Sequence, residues 1–245
     1  MTAVLGALAS VALAALIAVA AWTATPLLLA AAVGLAVLVL ALGWGSLLDL
    51  PAPRGSAVVI SVIGLAGAGV ALKADEMTRP LAPFAALMAL AVLLAFTHEL
   101  LRRHGRPHLV ESVTGTLSGQ VVALIGGGWV LLPSTKLGLT AVATVAASVL
   151  GARLSALLPV PARVAGWVAL AGGLVAGTFA GVMVAPARVV PVALLSLGVS
   201  SVVAGFDRLL LRLPTARGVA GLLSAAAAPV LAVGTVSYVL TRLVY

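Results

Sequence analysis

Residues 3–22 read AVLGALASVALAALIAVAAW and, after the short turn TATP, residues 27–44 read LLLAAAVGLAVLVLALGW. Neither run contains a charged side chain. Because an α-helix needs about 20 apolar residues to cross the hydrocarbon core of a bilayer, each run is long enough to span it. The first run lacks the positively charged start of a secretory signal and is longer than the apolar core of one, so we expect it to be retained as a span.

The rest of the chain has the same character. Of its 245 residues 63% are hydrophobic and only 8% are charged, whereas about 25% are charged in an average soluble domain. So few charges cannot cover a water-exposed surface, which excludes a soluble globular fold. At roughly 25 to 30 residues for a span and its turn, eight or nine spans use the whole chain. We therefore expect residues 1–245 to form one all-α polytopic transmembrane bundle with no soluble domain.

Turn residues and charges divide the chain into nine apolar segments. They are residues 3–22, 27–44, 57–72, 81–97, 113–132, 137–157, 164–185, 189–206 and 219–240. The eighth segment is bracketed by Pro186 and Pro191, and the count falls to eight if it does not cross. A loop beginning at Asp207 follows it.

The cations fall unequally on the two sides of such a bundle. With nine spans, nine cations share the side of the amino terminus and five lie on the other side. The first group is Arg54, Arg102, Arg103, Arg106, Arg153, Arg163, Arg208, Arg212 and Arg217, and the second is Lys73, Arg79, Lys136, Arg188 and Arg242. Since cytoplasmic loops carry the excess of Lys and Arg, the amino terminus is predicted to be cytoplasmic and the carboxy terminus outside.

Residue usage narrows the setting further. The chain has no cysteine, which excludes disulfides and thiolate metal sites. Twelve of its 14 cations are arginine, and with the abundance of Ala, Val and Gly this suggests a GC-rich bacterial genome and hence the bacterial cytoplasmic membrane. The net charge of +8 is explained by the excess of Lys and Arg in cytoplasmic loops. We therefore expect no nucleic-acid partner.

The fifth segment begins with an unusual run of polar residues. Its candidate substrate-binding residues are Thr114, Thr116, Ser118 and Gln120. Helical spacing puts Glu111, Thr114 and Ser118 on one face, and Thr116 and Gln120 on nearly the opposite face. Because a polar side chain in hydrocarbon needs a partner, both faces are expected to meet protein, as a substrate path or as a packing seam.

The seventh and sixth segments carry small and hydroxyl residues at helical spacing. Gly173, Gly177 and Gly181 are typical of close helix packing, with a glycine-lined substrate path as the alternative. The stripe of Thr140, Thr144 and Ser148 predicts a hydrogen-bonded seam, hydroxyls bonded to their own helix, or a polar lining that touches a substrate. Arg153, near the end of the sixth segment, is expected to extend to the inner headgroups. No Asp, Glu, Lys or His falls at the predicted mid-depth of any segment, which favours transport without proton coupling.

The loop at residues 98–112 holds all three histidines and the remaining candidate ligands. The candidate ligands are Arg102, Arg103, His104 and Arg106, which could bind anionic phospholipid headgroups or a phosphorylated substrate. The alternative is that these residues only reflect the excess of positive charge in cytoplasmic loops. His104 and His108 have metal-ligand spacing, but Gly105 and Pro107 break the helix that would align them, so we expect neither a metal nor a cofactor.

Signatures of catalysis are absent or incomplete. The segment from Lys73 to Pro80 reads K-x5-R-P, one residue shorter than the first motif of the lipid phosphatases. The layout of nine spans, with basic loops after the fourth and eighth, resembles that of the membrane cytidylyltransferases that make CDP-lipids. The acidic, metal-holding residues of those enzymes are missing, since only Asp207 is acidic between residues 137 and 218. No functional residue is carried over.

Three functions remain open from the sequence. The first is an uncoupled transporter or permease for a small molecule or a lipid. The second is an enzyme that acts on a phosphorylated lipid at the inner face, and the third is an accessory subunit whose glycine-rich faces bind other membrane proteins or a second copy. The expected partners in every case are the lipid bilayer and the anionic headgroups of its inner face.

Overall fold

The computed structural model describes residues 2–73, 77–102, 108–210 and 213–244, and in these ranges the chain is helical with no β-strand. The helices are α1 Thr2–Trp22, α2 Pro26–Leu47, α3 Pro53–Ala71, α4 Ala82–Leu100, α5 Leu109–Ile125, α6 Gly128–Leu131, α7 Leu139–Ser155, α8 Ala162–Val184, α9 Val189–Leu210 and α10 Val219–Val244. Short 3-10 turns lie at Leu132–Ser134, Pro186–Arg188 and Pro214–Arg217. The predicted all-α class is confirmed.

Eight helical segments of the described chain are long and apolar enough to cross a membrane. One of them, Leu109–Ser134, combines α5, α6 and the 3-10 turn after them. The remaining helix, α7, has 17 residues, or about 25 Å at 1.5 Å per residue, against about 30 Å for the hydrocarbon core. These segments indicate a multi-pass membrane protein.

Proline and left-handed residues set several helix boundaries. Ala24 adopts a positive φ in the turn before α2, and Pro26 is the first residue of that helix. Asp49 repeats the pattern before α3, which Pro53 begins. Proline suits this first position because the amide hydrogen that it lacks would have no partner within the helix. The structural boundaries therefore lie within a few residues of the predicted ones at these turns.

The connections between helices gather at two ends of the bundle. At one, which we call the basic end, the connections after α2, α4, α7 and α9 lie together: the Thr215 hydroxyl donates to the Leu47 carbonyl at 2.5 Å, and Arg153 bonds Asp207. At the opposite end lie the connections after α1, α3, α6 and α8, where Arg188 Nη1 donates to the Lys136 carbonyl at 2.5 Å. Consecutive long helices thus run in alternating directions, α7 included.

Helix α7 is buried in spite of its shortness. Its residues Val142, Val145 and Val149 have no exposed surface, and α8 packs closely along it through glycines. A Cβ atom on Gly173 would lie 2.8 Å from the Ser148 carbonyl oxygen, so no larger residue fits without a shift of the backbone. The close packing predicted for the α8 glycines is confirmed, because these positions let the two backbones approach.

Candidate functional site

A cavity of about 650 Å³ opens at the basic end between the α2–α3 connection and the first three turns of α5. Its volume lies within the range of small-molecule sites. We call it the basic-end cavity, and its lining residues are Leu48, Asp49, Leu50, Pro51, His108, Glu111, Thr114, Gly115 and Ser118. Two of the four predicted α5 residues, Thr114 and Ser118, therefore border one cavity.

The α2–α3 connection is held against α5 at Gly115. The indole Nε1 of Trp44 donates to the Gly115 carbonyl at 2.8 Å. A Cβ atom on Gly115 would lie 2.6 Å from Leu50 Cδ2, so the absent side chain is what admits Leu50. This contact could not be predicted from the sequence, because Trp44 and Gly115 are 71 residues apart.

The polar groups of the basic-end cavity are hydroxyls and carboxylates. The Thr114 hydroxyl donates to the Val110 carbonyl at 2.7 Å and the Ser118 hydroxyl to the Gly115 carbonyl at 2.8 Å, and each oxygen can still accept a hydrogen bond. Asp49 and Glu111 are exposed at its rim, and His108 Nδ1 lies 3.9 Å from a Glu111 oxygen. Such a lining suits a neutral or cationic polar ligand.

The other two predicted residues of α5 lie on the helix face that packs against α3. The Thr116 and Ser56 hydroxyls are 2.9 Å apart, and Gln120 Nε2 is 3.5 Å from the Val59 carbonyl. Gln120 has no exposed surface, and its Oε1 atom has no hydrogen-bond partner among the residues that the structure describes. The expectation that both faces of this segment meet protein is thus correct for Thr116 and Gln120, whereas Thr114 and Ser118 border open space.

Arg102, predicted to bind phosphate, is already paired. Its Nη1 atom lies 2.6 Å from an oxygen of Glu99, and the other oxygen of that carboxylate accepts a hydrogen bond from Ser112. Glu99 is 2% exposed, so this cluster ties the end of α4 to the start of α5. The other candidate ligands of the loop, Arg103, His104 and Arg106, lie outside the described residues.

A second buried ion pair joins α7 to α9. Arg153 Nη1 bonds Asp207, and the two side chains are 3% and 13% exposed. Arg153 Nη2 also lies 3.5 Å from the Ala225 carbonyl of α10. That carbonyl is free because Pro229, four residues later, has no amide hydrogen to donate. The expectation that Arg153 extends to the headgroups is wrong: its length carries the guanidinium to a partner within the bundle.

At the opposite end a smaller cavity of about 280 Å³ lies among α1, α2, α3 and the residues after α6. We call it the opposite-end cavity. It is lined by Ala21, Ala24, Thr25, Pro26, Leu29, Ala71, Leu72, Val130, Pro133, Ser134 and Leu139. The segment Leu109–Ser134 thus contributes residues to a cavity at each end of the bundle.

Between its two cavities this segment is broken at the consecutive glycines 126–128. The Trp129 amide bonds the Gly126 carbonyl at 3.1 Å, so the backbone bonds shift from fourth-neighbour to third-neighbour spacing. The Ile125 carbonyl then lacks its helical donor and accepts the Thr235 hydroxyl of α10 at 2.6 Å. Irregular backbone at membrane depth is tolerated only where protein satisfies it in this way.

The sequence contains a signal for this break, which the division into apolar segments did not take into account. Three glycines in a row interrupt an otherwise apolar span, and Pro229 interrupts α10, against which the break packs. Interrupted apolar segments are the pattern by which discontinuous helices of transporters are recognised. No family model, curated protein or solved structure matches the chain.

Proposed function

We propose that the protein is an uncoupled permease for a small polar molecule in the bacterial cytoplasmic membrane. The observation that carries the proposal is the segment Leu109–Ser134, which borders a cavity at each end of the bundle and is broken between them. Transporters expose a binding site alternately to the two sides of the membrane, and broken helices often line that site. The break in this segment, whose Ile125 carbonyl is satisfied by α10, supports such a role.

The charges at the basic-end cavity indicate the class of substrate. Asp49 and Glu111 stand at its rim, whereas Arg102 is occupied by Glu99. The carboxylates among the described groups at this rim favour a neutral or cationic solute over a phosphorylated lipid. The same pairing weakens the alternative of an enzyme at the inner face, because the one described arginine of its predicted site has no free charge to offer.

The absence of coupling is supported by the state of the buried carboxylates. Glu99 is bonded to Arg102 and Ser112, and Asp207 is bonded to Arg153. A carboxylate that carries protons or sodium through a transport cycle must be released in part of that cycle. Both acids instead hold helices together.

Blocking the basic-end cavity should stop transport. We expect reconstituted vesicles to reswell several-fold faster than empty vesicles after an osmotic shift with glycerol, ribitol or putrescine, and Ser118→Trp to return the rate to that of empty vesicles because the indole fills the cavity. Ser201→Trp is the matched control: Ser201 is also exposed and also bonds its own helix at 2.8 Å, but on α9. Stopped-flow light scattering measures the rates.

The same assay tests the centre of the segment. Gln120→Leu should keep the fold, since it removes a buried amide whose Oε1 has no partner among the described residues. We expect it to abolish solute entry, because it removes the polar amide that lies along the segment between the basic-end cavity and the break at residues 126–128. Reswelling of wild-type vesicles at the rate of empty ones with all three solutes, or equal rates for the two tryptophan variants, would contradict the permease proposal.

We further propose nine spans with a cytoplasmic amino terminus, since α7 runs between the same two ends as its neighbours. The natural absence of cysteine makes this testable. Thr25→Cys and Pro186→Cys should react with a membrane-impermeant maleimide added outside intact cells, and Thr114→Cys only in inverted vesicles. Thr116→Cys, at a buried position, should stay unlabelled. Labelling of Thr25→Cys and Pro186→Cys from different sides would mean that α7 does not cross.

A further inference from the structure

We propose that the protein binds one anionic phospholipid in a lateral groove between α2 and α3, with the lipid phosphate on Arg54. The groove has a volume of about 530 Å³ and is separate from both cavities described above. The residues that define its shape and chemistry are Leu42, Ser46, Arg54, Val58, Ser61 and Leu65. We call it the α2–α3 groove.

The groove has the length and the walls of a site for an acyl chain. From Arg54 in the first turn of α3 to Leu65 is eleven residues, or about 16 Å along the helix axis. Leu42, Val58 and Leu65 are exposed apolar residues, and in a bilayer this exposed face meets lipid. The concave shape results from the small residues Ser46 and Ser61, which leave space that longer side chains would fill.

The far end of the groove is closed by helix packing. Leu65 Cδ2 lies 3.0 Å from the position that a Cβ atom on Gly34 would take, so Leu65 leans onto α2 where that helix has no side chain. The groove is therefore open towards lipid along its side and towards the basic end, where Arg54 stands. An amphiphile in this groove would place its charged group at the basic end, beside Arg54.

The charge at the mouth selects an anion. Arg54 is exposed and forms no ion pair with any residue in the described part of the chain. The described residues that line the groove include no carboxylate. A guanidinium binds a phosphodiester through two parallel hydrogen bonds, and the Ser46 hydroxyl, near the end of α2, adds a polar contact near the glycerol region. A free phosphate would use Arg54 alone and leave the apolar walls uncovered.

The experiment measures the first bound lipid by native mass spectrometry, with the purified full chain titrated with phosphatidylglycerol or phosphatidylcholine. We expect phosphatidylglycerol to bind more tightly, and Arg54→Ala to weaken it about tenfold through the loss of one charge-assisted contact. Arg163→Ala is the matched control, because Arg163 is likewise the exposed second residue of a helix at the basic end but does not line the α2–α3 groove. It should leave the affinity unchanged.

A second variant distinguishes binding of the whole lipid from binding of its headgroup alone. Ser61→Phe fills the groove and keeps Arg54, so it should also lower the affinity for phosphatidylglycerol about tenfold. If Ser61→Phe does not fold, Ser46→Leu serves the same purpose. Equal losses for Arg54→Ala and Arg163→Ala would show general surface attraction and overturn the proposal. Unchanged binding in the groove-filled variant, or its inhibition by inorganic phosphate, would overturn it as well.

Discussion

Replacing Arg153 by methionine is expected to lower the free energy of unfolding by about 3 to 5 kcal/mol, because the change leaves the Asp207 carboxylate buried without its cation. Asp207 Oδ2 already has no hydrogen-bond partner, so no other described group can take over. The loss also frees the Ala225 carbonyl, which Pro229 cannot satisfy. Reversible unfolding by dodecyl sulfate in mixed micelles measures the difference.

The double variant Arg153→Met with Asp207→Leu distinguishes pairing from simple loss of volume. Apolar replacement of a whole buried pair is often neutral, so the double variant should regain most of the stability that either single variant loses. Arg208→Met is the control beside it: Arg208 is exposed and lies 5.9 Å from the Trp167 ring centroid, a contact worth about 1 kcal/mol or less. Losses that simply add in the double variant would rule out a coupled pair.

Gly128→Ala is expected to cost about 3 kcal/mol or more, or to prevent folding, because the added methyl group has no space. It would overlap the backbone of Gly234 and Thr235 in α10, which cannot rotate away as a side chain could. On α10, a Cβ atom on Gly234 would lie 2.9 Å from the Ile125 carbonyl oxygen. The two backbones therefore touch at the broken part of the segment, and the same titration should show the loss.

Gly205→Ala is the matched control for this prediction. Gly205 lies within α9, and a Cβ atom there would meet nothing within 4 Å. Alanine should be neutral or stabilise by up to about 1 kcal/mol, since glycine is the weaker helix former. Equal effects of the two substitutions would mean that helix propensity, and not the contact with α10, governs position 128.

The candidate site could be predicted only in part from the sequence. The polar start of α5 was visible because Thr114, Thr116, Ser118 and Gln120 interrupt an apolar run. Which of them border space could not be predicted, since that depends on Leu50 and Trp44 packing onto Gly115 from 65 and 71 residues away. A helical face shows where side chains point, and only the neighbouring element decides whether they meet protein or a cavity.

The break in the segment Leu109–Ser134 could not be predicted from the sequence for a different reason. Three adjacent glycines weaken a helix by conformational entropy, yet a glycine run inside a span also serves close packing, so composition alone does not separate the two. The distinction lies in the backbone bonds: the Ile125 carbonyl takes the Thr235 hydroxyl in place of a helical amide. That donor is 110 residues away and has no sequence pattern of its own.

The sequence by itself determined the class, the helices and their approximate limits. Hydrocarbon offers no partner to a peptide group, and a long apolar run satisfies its own peptide groups by forming a helix. The tertiary structure decided which polar groups meet. Arg153 pairs with Asp207 across 54 residues, and an arginine that the sequence directs to the headgroups becomes a buried tie between helices. Such pairs depend on which helices are neighbours, and helix neighbours are chosen by the packing of glycine and small apolar faces that look alike in the sequence.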